Sequence, residues 1–257
     1  EGDGGKPRFG HGVLIKNQDN AVFTNKGTIN ASAEGATAIE IQVSSNKTTK
    51  NAVINLEKGS SVDGLIHNHE NVEGTTLKAN GFVGTIDLQN DSTKGMTIEV
   101  NQGADLTLVD GHGSKALTAV VNDGMLSASI WQKYTVGEGE GAKEASDNQF
   151  TKVTVNEGGI FNVTKLSSVW DDPATEADES KVEGAAKDQL LIKGADYTLN
   201  GGALYVGGQN FTRNLKVGTA SDVSSFTIES GDYSYDTLTV GREGTTNVKG
   251  GTLTVGD

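Results

Sequence analysis

The chain contains no cysteine. Disulfides, thiolate nucleophiles and cysteine-ligated zinc are therefore excluded. Proline occurs only twice and aromatic residues make up 5%. Proline this rare, without a strict glycine period, excludes a collagen-like chain. Arginine occurs only as Arg8, Arg213 and Arg242, and no basic stripe with interleaved aromatics is present. The net charge is −13, from 34 acidic and 21 basic residues. Such a surface repels phosphate backbones and anionic membranes, so nucleic acid is not an expected partner. There is no run of 18 apolar residues, so no segment is long and apolar enough to cross a membrane as a helix. No leader is recognisable at Glu1, as expected of a processed chain or a recombinant fragment.

What is abundant is glycine, with 35 residues, while hydrophobic residues reach only 34%. The apolar residues are gathered in short alternating runs rather than diluted, which argues against disorder. Thr97-Ile-Glu-Val100, Leu106-Thr-Leu108, Leu204-Tyr-Val206, Thr237-Leu-Thr-Val240 and Thr252-Leu-Thr-Val255 alternate with period two. That period places one set of side chains inside and the other outside a pleated sheet. No long segment carries a helical stripe.

One phrase recurs six times: an aliphatic residue, glycine three positions later, then an alternating pair of mostly apolar residues. The copies are Val100–Gly103 with Leu106 and Leu108, Val121–Gly124 with Leu126 and Ala128, and Val155–Gly158 with Phe161 and Val163. Then come Leu199–Gly202 with Leu204 and Val206, Ile228–Gly231 with Tyr233 and Tyr235, and Val248–Gly251 with Leu253 and Val255. Fainter copies stand at Leu56–Gly59 and Thr24–Gly27. A β-sandwich also has short strands and glycine turns, but it does not require one phrase to recur. The expectation is an all-β solenoid, a parallel β-helix with loop insertions, formed by residues 1–257 as one body. The motif glycines are separated by 21, 34, 44, 29 and 20 residues. The short gaps suit one coil, 44 is near two coils, and the others imply insertions. At about 21 residues a coil the chain would make roughly a dozen coils, on the order of 60 Å in length. Asn101, Asn122, Asn156 and Asn200 share one position of the phrase. Asparagine there predicts a turn role, through left-handed backbone or stacked ladders.

Two polar segments, 137–149 and 171–188, interrupt the pattern and read as loops leaving the rod. Trp131 and Tyr134 precede the first, and Trp170 precedes the second. Loops on a rigid scaffold often carry binding, whereas a charge run is often simply solvated. The candidate partner-binding residues are Trp131, Tyr134, Trp170, Asp171, Asp172, Glu176, Asp178 and Glu179.

Chemical sites find little support. His67 and His69 sit at strand spacing and, with Glu70, are of the type that ligates a transition metal. Exposed structural histidines are commoner, and His11 and His112 look isolated. The acidic run at 171–179 suits calcium by charge, but no EF-hand loop or glycine–aspartate nonapeptide is present. There is no Gly-x-Ser-x-Gly elbow and no phosphate-binding loop. No pair of stacked aspartates recurs at one-coil spacing, as a glycan-cleaving β-helix would need. The chain is expected to be no enzyme and to hold no cofactor or metal.

Thr198-Leu-Asn-Gly-Gly-Ala-Leu-Tyr-Val-Gly207, Thr237-Leu-Thr-Val-Gly241 and Asn247-Val-Lys-Gly-Gly-Thr-Leu-Thr-Val-Gly256 resemble the passenger domains of Gram-negative autotransporter (type V secreted) adhesins. The likeness is nearest to the self-associating and diffuse-adherence group. It is clear over 190–257, moderate over 96–165 and thin before that. The lack of cysteine is similar to that family. The resemblance implies a right-handed parallel β-helix with three strands per coil, displayed at the cell surface. It implies export by a C-terminal β-barrel that is absent from this chain and would be its only membrane attachment. It also implies cell aggregation, biofilm formation or host attachment. The expected partners are another copy of the chain, or a host surface protein or glycan. No site residue carries over, and the Gly-Asp-Ser-Gly of protease-bearing relatives is missing. Because Asp257 follows a complete strand phrase, the array is expected to continue beyond it.

Overall fold

The computed structural model describes residues 10–31, 36–109, 113–130, 134–136, 143–145, 149–166, 189–218, 220 and 222–256. Among them there is no helix, and the fold is all-β with parallel sheets. Two sheets have nine strands each, and every pair in the second is parallel. The chain visits the two in turn. Val22–Asn25 lies in the second, Thr37–Gln42 in the first, Val53–Glu57 in the second and Leu65–Asn68 in the first. Thr75–Asn80 and Val83–Asn90 repeat the alternation.

Parallel register stacks like on like. In the second sheet Ile54, Leu77, Ile98, Ala119, Val153, Tyr197 and Phe226 follow one another, and all are 0–1% exposed. In the first, Leu106, Leu126, Phe161 and Leu204 form a matching column, also buried. The first-sheet column consists of inward residues of the recurring phrase. A full turn cannot bury them alone, whereas a neighbour above and below can, at about 1.5–3 kcal/mol for each large apolar side chain. The aromatic members interlock edge to face: Phe150 with Phe161 at 5.2 Å and Phe161 with Tyr197 at 6.0 Å.

The spacing of the phrase is the spacing of the returns. Stacked asparagines lie 21, 34 and 44 residues apart along the chain. The 44-residue gap is therefore a single return, because Val153 pairs directly with Tyr197. Nor do the described residues make a dozen passes: long connections consume residues, and the second sheet has nine strands. At ~4.8 Å per strand it extends roughly 40 Å.

The glycines of the phrase do two different jobs. Gly103 and Gly158 have φ of 72° and 73°, the left-handed region that glycine enters without strain. Gly124 and Gly202 do not. They stand in register with Ala104 and Gly159, where the turn crosses the preceding chain pass. A Cβ on Gly202 would lie 2.5 Å from the Asn156 carbonyl oxygen and 2.5 Å from a Val155 methyl.

A polar ladder also runs inside the fold. Asn68 and Asn90 are fully buried in register. Asn68 donates to the Asn90 side-chain carbonyl at 2.7 Å and accepts from the Thr75 hydroxyl at 2.9 Å. Asn90 donates in turn to the Lys115 and Ser92 carbonyls. Replacing Asn90 with alanine leaves a buried amide and a buried carbonyl without partners. The expected cost is about 3 kcal/mol, against less than about 1 kcal/mol for alanine at the surface residue Asn122. Urea unfolding of the two variants checks this.

Candidate functional site

Trp131, Trp170, Asp171, Asp172, Glu176, Asp178 and Glu179 lie outside the described residues, as does His112. Tyr134 opens a short strand, Tyr134–Val136, which pairs antiparallel with Lys143–Ala145. The segment 137–149 thus contains one arm of a hairpin.

The outward side of the second sheet spans nine strands. Its residues fall in columns because the sheet is parallel and in register. One column is a continuous hydrogen-bonded ladder. Asn80 donates to Glu57 at 3.1 Å, Asn101 to Asn80 at 2.8 Å and Asn122 to Asn101 at 3.0 Å. Asn156 donates to Asn122 at 2.6 Å, Asn200 to Asn156 at 3.1 Å, and the Ser230 hydroxyl to Asn200 at 3.0 Å. None of Asn101, Asn122, Asn156 or Asn200 has left-handed backbone. That conformation falls on Gly103, Asp123, Gly158 and Gly201 instead. Of the two roles asparagine offered, stacking is the one used.

Beside the ladder runs a second outward column with Lys78, Glu99, Val120, Thr154, Thr198 and Thr227 in register. A third begins with Thr76, Thr97 and Thr118. The charges on this face nearly cancel. Glu57, Glu99, Asp196 and Glu229 stand against Lys78, Lys152 and Lys249. Two pairs are in contact, Lys78 with Glu99 at 2.9 Å and Lys249 with Glu229 at 2.8 Å. The chain's acidity sits elsewhere: 137–149 and 171–188 together hold 11 acidic and 3 basic residues. An amide side chain has two N–H donors and two acceptor lone pairs. The ladder uses one of each at Asn122 and Asn156, leaving a donor and an acceptor for an incoming surface.

The histidines assemble on the first sheet, and His11 is not isolated. Its Nδ1 contacts the Glu40 carboxylate, whose other oxygen lies 2.8 Å from His69 Nε2. His67 stacks on His69 with ring centroids 4.0 Å apart and bonds Asp91 at 2.8 Å. Chain separations of 24 and 29 residues hid these contacts from the sequence. Glu70, the expected third ligand, instead accepts from Asn71. Among the described residues no three histidines or acids are placed to hold a metal ion. The cluster ties successive strands together.

Partial burial pushes the Asp91 carboxyl upward, but hydrogen bonds from His67 and Gln89, with the His67 and Lys115 charges, outweigh this and hold it below 3.8. A depressed native pKa stabilises the fold above the unfolded value, and that contribution is lost as pH falls through the native one. On acidification from about pH 5 to about pH 2.5, wild type should lose more stability than Asp91→Asn. Parallel melting curves for the two across that window would contradict the assignment.

Compared with known protein families, characterised proteins and solved structures, the chain matches none.

Proposed function

We propose that this chain is an adhesive segment of a bacterial cell-surface protein, a right-handed parallel β-helix of the autotransporter passenger type. It acts by laying the outward face of its second sheet against the same face of a copy on another cell, and so clumps cells. The reading is supported by the alternation of the chain between parallel sheets and by the resemblance of the 190–257 region. It rests above all on one observation: the face is a charge-balanced ladder of donors and acceptors repeating every ~4.8 Å. A surface with that repeat is complementary to itself, because each amide both donates and accepts. Individual contacts of this kind are weak, about 1 kcal/mol or less. A rigid array makes them together, and many copies on a cell add multivalency. No cofactor or catalytic group is needed.

Display of the chain, fused to an outer-membrane barrel, on a bacterium that does not clump is the direct test. Settling cells support the proposal, and cells that stay single oppose it. Attachment to a host glycan or protein without self-association is the second reading. It is favoured by a cleft lined by residues that are not members of the ladder.

A further inference from the structure

The regular stacking breaks at one place. The strand Ala203–Val206 pairs with Ile160–Leu166 on one edge. On its other edge no later parallel strand follows among the described residues. The chain instead reverses at Gly207 and Gly208, with φ of 58° and 79°, into the two-residue strand Gln209–Asn210. That strand pairs antiparallel with Tyr205 and Val206. The next strand of the same kind, Asp232–Tyr235, is displaced and pairs only with Thr252–Val255, in a separate two-stranded sheet.

The break leaves a cleft of about 330 Å³ between the two strands. Leu204 and Phe211, both buried, form its base. Tyr233 forms a half-exposed aromatic wall. Its hydroxyl lies 2.8 Å from the Gly202 carbonyl and 3.2 Å from the Ser230 carbonyl, which together fix the ring. Burial pushes that hydroxyl's ionisation upward. Asn210, Thr212, Asp232 and Ser234 stand exposed around the rim.

We infer that this cleft binds a neutral sugar unit. Its volume suits a small ligand, near the lower end of the usual range of roughly 300–1,000 Å³. A fixed aromatic face takes the C–H side of a pyranose ring. The rim supplies an amide, two hydroxyls and a carboxylate, all able to engage vicinal sugar hydroxyls. Among the described residues no lysine or arginine lines the cleft, and Asp232 repels anions, so carboxylated and phosphorylated sugars are disfavoured. No residue lining the cleft is a member of the ladder, although Tyr233 bonds the backbone of Ser230 at its end, and the sugar proposal does not rest on the homotypic one.

The test begins with the soluble chain on an array of neutral and sialylated oligosaccharides. It continues with calorimetric titration of the best neutral oligosaccharide. Neutral structures are expected to bind, and the double variant Asn210→Ala/Asp232→Ala should bind at least about tenfold more weakly. Both side chains are exposed, so the variant should keep the wild-type melting temperature. Thr198→Arg, outside the cleft lining, should bind the sugar as wild type does. A silent array, binding confined to sialylated structures, or neutral binding that ignores the double variant would each overturn the inference. Competition by an extended peptide in place of the sugar would reassign the cleft to the free edge of Asp232–Tyr235 and overturn it equally.

Discussion

Valine at Gly202 should destabilise the chain by at least about 3 kcal/mol, whereas alanine at Gly103 should cost only about 1–2 kcal/mol. The two glycines look equivalent in the recurring phrase, but they answer to different constraints. Gly103 has open space around a built Cβ and pays only for its left-handed backbone. At Gly202 the obstacle is the preceding chain pass itself, the Asn156 carbonyl and the Val155 side chain. A flexible neighbour could swing away, but the Asn156 carbonyl accepts from the Gly159 N–H at 2.8 Å across its own turn and cannot move without undoing that turn. Gly124 shows the same crowding, with a built Cβ 2.6 Å from the Asn101 carbonyl oxygen. The expected ranking in urea unfolding is Gly202→Val and Gly124→Val far below Gly103→Ala. Amide exchange should place the loosened bonds around Asn156–Ala203 in the Gly202 variant. Equal costs at all three positions would mean that the corner does not set the distance between passes.

That corner also explains how much of the fold the sequence discloses. Where a turn admits only a small residue, glycine marks the register, and the distances between glycines equal the lengths of the returns. Upstream the mark fades for a physical reason. In the pass that pairs with Asp105, the position before Val83 is Phe82, which is buried in the core rather than pressed on a carbonyl. The 44-residue gap was ambiguous because length alone cannot separate two short returns from one long one. Only the pairing of Val153 with Tyr197 decides it.

The site was less legible than the scaffold. The shared asparagine position was visible, but a residue type suited to turns gave no reason to expect a continuous ladder on an open face. Asn68 and Asn90 resemble turn residues in sequence and are buried to 0% in the structure. The contact of His11 with Glu40 joins neighbouring strands whose spacing follows no motif. Tyr233 stood among the expected inward pair with Tyr235, yet the intruding hairpin leaves it half open beside a cleft.

The central claim is that the ladder face meets its own copy, and arginine at Thr154 and Thr198 tests it most directly. These two residues are in register and point outward, half-exposed, beside the asparagine column. Long side chains there hold two faces apart without disturbing the buried columns, so the double variant should melt as wild type does. Displayed on cells, wild type should clump, and more strongly as salt rises, because the acidic segments 137–149 and 171–188 repel and are then screened. Cells displaying Thr154→Arg/Thr198→Arg should settle at least about tenfold more slowly, if each lost contact is worth about 1 kcal/mol and several are lost together. Clumping of the folded double variant at the wild-type rate would contradict the account.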